Sequence, residues 1–139
     1  MAERVMEELD ENECLRLIGP GGIGRIAYPG RFGPAVLPVN YKLLDGAIGF
    51  RTAEHGPRDE DLRSGIADAD YKVAFEIDEI DPAAGRGWSV LVQGPAHHAR
   101  GAEIDAARSA GVEPWAPGDR ELFVQIVPSR ITGRRVGPA

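Results

Sequence analysis

Two short runs carry most of the chemistry this sequence offers. Arg51 and Thr52 stand side by side, and a second cation, Arg58, follows in the loop His55-Gly56-Pro57-Arg58. A fork of guanidinium donors, a hydroxyl, a glycine-containing loop and a further cation make a seat for a phosphate group. The competing reading pairs a strand-end arginine with one of the chain's many carboxylates. Upstream, Pro38, Val39, Asn40 and Tyr41 set a ladder-breaking proline beside an amide and a phenol. Such groups can hydrogen-bond to a ring system and stack on it. The plainer alternative is a polar strand end with an aromatic residue over a barrel mouth.

Other residue types add less. Trp88 and Ser89 follow a glycine-rich loop at a strand start. A tryptophan there suits a subunit interface, or else a core. His97 and His98 are adjacent on a strand, so they point to opposite faces and do not converge on one metal. Cys14 sits on the apolar side of a short helix, where packing is the expected role. Arg130, Arg134 and Arg135 form a terminal cationic cluster. It reads either as an attractor for an anionic substrate or cofactor tail, or as a solvated strand edge. No metal site is expected, no general acid or base stands out, and Tyr41 is the one nearby proton donor. Nucleophile-elbow, zinc-protease and Walker signatures are absent, and Gly19-Pro20-Gly21-Gly22-Ile23-Gly24 does not fit a dinucleotide fingerprint.

The elements that must position these residues are mostly strands. Residues 38–52 (PVNYKLLDGAIGFRT) read as two strands joined at Asp45-Gly46, a tight-turn dipeptide. Residues 1–8 read as a loose lead-in. Asp10 and Glu13 form a D-x-x-E capping box for a helix that ends near Ile18 at the Gly-Pro-Gly-Gly run. Residues 23–28, 35–44 and 47–52 give the first three strands. Residues 71–78 (YKVAFEID) alternate cleanly and give the fourth. Residues 88–100 give the fifth, with a bulge or bend expected at Gly94-Pro95. Residues 122–135 give the sixth, broken at Pro128. Short helices are expected over 58–67 and 103–110, with an irregular stretch over 113–119 holding Trp115. Six antiparallel strands with hairpin turns and a few short helices predict a closed or partly closed β-barrel, as one domain over residues 1–139.

Composition bounds the partners. Among 139 residues, 18 Gly and 11 Pro favour a turn-rich β fold over a helical bundle. A net charge of -6 argues against general nucleic-acid binding, which needs clustered cations to neutralise phosphates. A lone cysteine rules out an internal disulfide and any CxxC metal site. The acidic N-terminus has no apolar signal region, and no apolar run reaches the roughly 18 residues that a membrane span needs. A cytoplasmic location without membrane contact is the expectation.

In order, GRIAY, PAVLPVNY, GFRT, VAFEID, GWSVLVQGPA and IVPSRITGRR carry a resemblance over about residues 13–135. The chain resembles the pyridoxamine 5′-phosphate oxidase-like family of flavin-binding split β-barrels. The resemblance implies a six-stranded antiparallel split barrel and a homodimer with two flavin mononucleotide (FMN) sites at the subunit interface. It implies that Pro38, Val39, Asn40 and Tyr41 lie along the isoalloxazine ring, and that Arg51, Thr52 and Arg58 meet the phosphate. Trp88 and Ser89 would come from the partner subunit. True pyridoxamine phosphate oxidases end in an Arg-x-Pro-type segment where this chain reads ITGRRVGPA, so a flavin oxidoreductase acting on another small-molecule substrate is the expectation. Two alternatives stay open. One is a reductase of the same fold using a deazaflavin coenzyme, whose acidic tail Arg130 and Arg134 would suit; the other is a non-catalytic flavin- or haem-binding protein.

Overall fold

Among the described residues, alternating apolar segments form β-strands and a capped amphipathic segment forms a helix. The computed structural model describes residues 3–53, 71–98, 111 and 121–138. Among these are eight strands and one helix, in the order β1 (Arg4–Leu9), α1 (Glu11–Ile18), β2 (Gly22–Gly30), β3 (Gly33–Leu44), β4 (Ala47–Ala53), β5 (Tyr71–Asp81), β6 (Arg86–His98), β7 (Glu121–Ile126) and β8 (Arg130–Pro138). The expected helices over 58–67 and 103–110, and Trp115 with its irregular stretch, lie outside the described residues.

All strand pairs are antiparallel, in the order β1-β8-β6-β5-β2-β3-β4-β7. A further pairing of β6 with β7 closes the ring. The result is a closed six-stranded antiparallel barrel, β2 to β7, with β8 and β1 added outside it on β6. Closure removes the exposed edges that an open six-stranded sheet would present.

The barrel interior follows the period-two alternation. Leu37, Val39 and Tyr41 of β3, Val73, Phe75 and Ile77 of β5, and Val90 and Val92 of β6 are all buried. The β3–β4 turn is the one its sequence demands: Asp45 (φ 50°) and Gly46 (φ 81°) are both left-handed, the requirement of a type I′ hairpin. Helix α1 starts as expected, with the Asp10 carboxylate accepting from the Glu13 N–H at 2.8 Å. The reciprocal arm of the expected capping box is replaced. The Glu13 carboxylate is held by Arg16 and Arg135 instead. Cys14 and Ile18 of α1 are fully buried in the barrel's core cluster. Gly133 of β8 makes that packing possible, because a Cβ there would lie 2.5 Å from the Cys14 sulfur.

Three expectations need correction. The expected lead-in contains strand β1, which pairs with β8 and sets Glu7 against Arg135 and Glu8 against Arg134. Alternate opposite charges suit such a ladder, but the pairing spans nearly the whole chain and is invisible locally. The expected sixth strand is two strands. Residues 127–129 divide β7, a barrel stave, from β8, which lies outside the ring. Gly94-Pro95 does not interrupt β6, whose register with β5 runs unbroken from Arg86 to Ala96. Here β6 changes neighbours on its other side, from β8 up to Gln93 to β7 from Ala96. Bonds from the Val127 N–H to the Pro95 carbonyl (3.1 Å) and from the Ser129 N–H to the Gln93 carbonyl (2.8 Å) stitch the junction. A side chain at position 94 would collide with the Val127 carbonyl.

Candidate cofactor site at the parting of two strands

Residues 38–41 and 51–52, singled out for ring and phosphate binding, flank the place where β3 and β4 separate. Their ladder runs from Leu44↔Ala47 to Tyr41↔Phe50 and stops. One more step would set Asn40 against Arg51, and two would set Val39 against Thr52. Those pairs are not formed. Beyond Phe50, β4 stays paired only on its other side, with Arg51↔Phe123, Thr52↔Leu122 and Ala53↔Glu121 of β7. On its far side, β3 stays paired with β2 through Asn40↔Ile23, Val39↔Gly24 and Pro38↔Arg25. The two strands thus form lips, one carrying 38–40 and the other 51–52. Pro38 has no N–H to donate to a neighbouring strand.

Side chains divide by face. Val39 and Tyr41 point into the barrel, at 3% and 2% exposure, whereas Pro38 and Asn40 point outward and are half-buried. The Tyr41 ring packs edge-on against Phe75, and its hydroxyl donates to the Ile18 carbonyl at 2.8 Å. Burial pushes its pKa up to about 12. The phenol is thus engaged in fastening the end of α1 and is not presented at the outer face. Only the backbone of Val39 and Tyr41 borders the opening.

Arg51 is half-buried, and its guanidinium lies 5.6 Å from the centroid of the Phe123 ring, its cross-strand neighbour. A cation over an aromatic face is held in place while its N–H fork stays in its own plane. Phe123 was not legible as a site residue, because only the β4–β7 register puts it beside Arg51. Thr52 lies on the same lip. Arg58 lies outside the described residues.

Trp88 and Ser89 do not join this opening within one chain. They sit near the start of β6, against Glu79 and Asp78 of β5 and Arg135 and Arg134 of β8. The end of β6 that meets β7 is ten residues further on, on the order of 30 Å of strand. Trp88 packs against the core cluster, while the cross-strand neighbours of Ser89 belong to the outer face.

Beside the lips runs a charged cluster. Arg25, directly opposite Pro38, reaches Glu76 at 3.3 Å and Asp78 at 3.5 Å on β5. Burial first, and then Asp78, raise the Glu76 pKa to about 7, with Arg25 opposing. The terminal arginines also separate. Arg135 bonds Glu13 at 2.9 Å and lies 3.8 Å from Glu7, a structural role, while Arg130 and Arg134 are exposed. β8 is no sheet edge, since it is paired on both sides. Among the described residues no cluster of His, Cys, Asp and Glu could hold a metal ion, and no helix is long and apolar enough to cross a membrane.

A closed six-stranded antiparallel barrel with two added strands and an opening between β3 and β4 defines a split-barrel protein. A family profile described as pyridoxamine 5′-phosphate oxidase matches residues 10–135, and the chain belongs to that family. It is 35% identical, over 133 residues, to an uncharacterized protein of Mycobacterium tuberculosis, covering 96% of this chain and 87% of that one. It is similar to a crystal structure from Corynebacterium glutamicum whose name carries the same family (30% identity, TM-score 0.76, 96% and 95% of the two chains). It is also similar to the structure of the FAD binding protein from Mycobacterium smegmatis (32% identity, TM-score 0.75, 93% and 98%).

Proposed function

We propose that this chain is a flavin-binding oxidoreductase that seats FMN in the opening between β3 and β4. The observation that carries the reading is the parting itself. It brings the outward Pro38 and Asn40 into line with Arg51 and Thr52 just where the ladder stops. An arginine fork and a hydroxyl suit a phosphate, and exposed main chain beside a proline suits the polar edge of a flat ring. The 32% identity to a protein named for binding FAD supports a flavin and leaves the flavin type to experiment.

Bound there, the flavin would supply the hydride chemistry. The chain's own contribution is to bind and orient it: Arg51 and Thr52 at the phosphate, the 38–41 main chain and the Asn40 amide along the ring. Tyr41 is left out of proton transfer, because its hydroxyl is already given to Ile18. The same reading includes a homodimer, in which Trp88 and Ser89 of the second copy close the ring side, and a cytoplasmic setting.

The test is titration of the purified full-length chain with FMN, FAD and a deazaflavin coenzyme, followed by absorbance and fluorescence quenching. Tight FMN binding that weakens tenfold or more in Arg51→Ala is expected, the loss of a charged hydrogen-bonded contact. Preference for the deazaflavin would move the chain to the alternative reading. A colourless protein that quenches none of the three would end the proposal.

A further inference from the structure

Nothing local in the sequence marks Arg25 as a site residue, yet it stands beside the ring side of the candidate seat. On the outer face, Arg25 of β2 is the cross-strand neighbour of Pro38, and Ile23 is that of Asn40. Both β2 side chains are exposed. Side chains paired across two strands start about 5 Å apart. A flat ring laid along Pro38 and Asn40 therefore comes within reach of Arg25, with Ile23 as apolar surface next to it.

On its other side Arg25 meets two carboxylates of β5. Its Nη1 lies 3.3 Å from Glu76 Oε1 and 3.5 Å from Asp78 Oδ2. Both contacts use the same nitrogen. Among the described residues, Nη2 and Nε make no hydrogen bond. The guanidinium is thus held at one corner, and the other donors of its planar fork are left over. Two acids also share one cation, so one negative charge in the cluster has no counter-ion. Glu76 responds by keeping its proton up to about 7, through burial first and then Asp78.

We propose that Arg25 is a further binding residue of the ring seat, donating from Nη2 or Nε to the carbonyl edge of the bound ring while Glu76 and Asp78 hold Nη1. This deepens the flavin reading and rests on it. Proton uptake follows. A ring over Arg25 shields Glu76 from water and draws on the one charge that opposes its protonation, and both effects favour the neutral carboxyl. The charged groups facing Glu76 are Arg25 from β2 and Asp78 on its own strand, while β6 packs Leu91, Ser89 and Gln93 against it. Lys72 is four residues back on the same face, about 13 Å along the strand, and Arg134 of β8 lies beyond Ser89.

The probes are FMN and riboflavin, the same ring without its phosphate, titrated calorimetrically into the full chain at pH 7.5 in HEPES and in Tris. The two buffers differ in ionisation heat, so the difference in binding heat counts the protons taken up. Arg25→Ala should weaken both probes about three- to tenfold, whereas Arg51→Ala should weaken FMN and leave riboflavin within twofold. The wild type should take up part of a proton per ring bound, and Glu76→Gln should lose that uptake. Thermal melts check that each variant is folded; should Arg25→Ala fail to fold, the proton count decides alone. FMN binding that Arg51→Ala weakens and Arg25→Ala leaves unchanged overturns this inference and spares the flavin reading. Equal proton uptake in the wild type and Glu76→Gln does the same. Wild-type chain that binds neither probe removes both.

Discussion

Arg135 and Glu13 are 122 positions apart in sequence, yet the guanidinium donates to the carboxylate at 2.9 Å and ties β8 to the first turn of α1. The same carboxylate accepts from Arg16 within the helix. Glu13 thus sits at the junction of the capped helix and the added strands, and its ionised form is the one both arginines need.

Acid lability follows. Hydrogen bonding first to Arg16 and then to Arg135 lowers the Glu13 pKa from 4.5 to about 2. A carboxyl held low in the folded state stabilises it above the unfolded pKa, and that contribution is lost as pH falls toward the folded value. The urea midpoint of the wild type should drop between pH 4.5 and pH 2. Glu13→Gln should remove part of that drop while lowering the midpoint at pH 6. An identical pH profile in the two proteins would show that the contact is silent.

Glu76 works in the opposite direction. Its pKa is raised to about 7, by burial first and then by Asp78 on its own strand, with Arg25 on β2 opposing. On β6 it faces Leu91, flanked by Ser89 and Gln93, so no further charge is adjacent there. Between 4.5 and 7 the folded chain holds the extra proton, so stability falls as pH rises through that window. Glu76→Gln should flatten the profile and exceed the wild type in urea midpoint at pH 8. A wild-type midpoint that rises smoothly from pH 5 to pH 8 would contradict this.

Gly133 should be intolerant of any side chain. Its missing Cβ makes room for the Cys14 sulfur, and the Ser89 carbonyl is also within 3.2 Å of where that atom would stand. Gly133→Ala is expected to cost about 1–3 kcal/mol by overpacking. Combining it with Cys14→Ala should cost less than the sum of the two changes, as contacting residues couple. Strict additivity in that cycle would mean that the sulfur is not the obstacle.

Tyr41→Phe separates core from site. Loss of the bond to the Ile18 carbonyl should cost about 0.5–1.5 kcal/mol of stability. FMN affinity should change less than twofold, since the ring is inside the barrel. A large affinity loss at unchanged stability would put the phenol in the site.

Much of the fold was legible because its signals are local. Asp45-Gly46 announces a left-handed turn, Asp10 announces a helix start, and Val73, Phe75 and Ile77 announce an inward face. Each depends on the backbone preferences or the spacing of near neighbours. The candidate lips were legible in residue type, as Pro38 and Arg51, but not in arrangement. Which of residues 38–41 turn outward depends on strand phase, and that assigned Asn40 to the surface and took Tyr41 into the core.

Most of the elements, with their turns and caps, are thus properties of the amino-acid order. The tertiary structure alone decided the rest: β1 laid against β8, the break at 127–129 that sends one strand into the barrel and the next outside it, the closure of β6 on β7, and the parting of β3 from β4. The pairings among these join segments far apart in the chain, and they set where the neighbouring strands must break or part. A pairing of that kind is settled by the burial and hydrogen bonding of the whole sheet at once, and no window of neighbouring residues contains it.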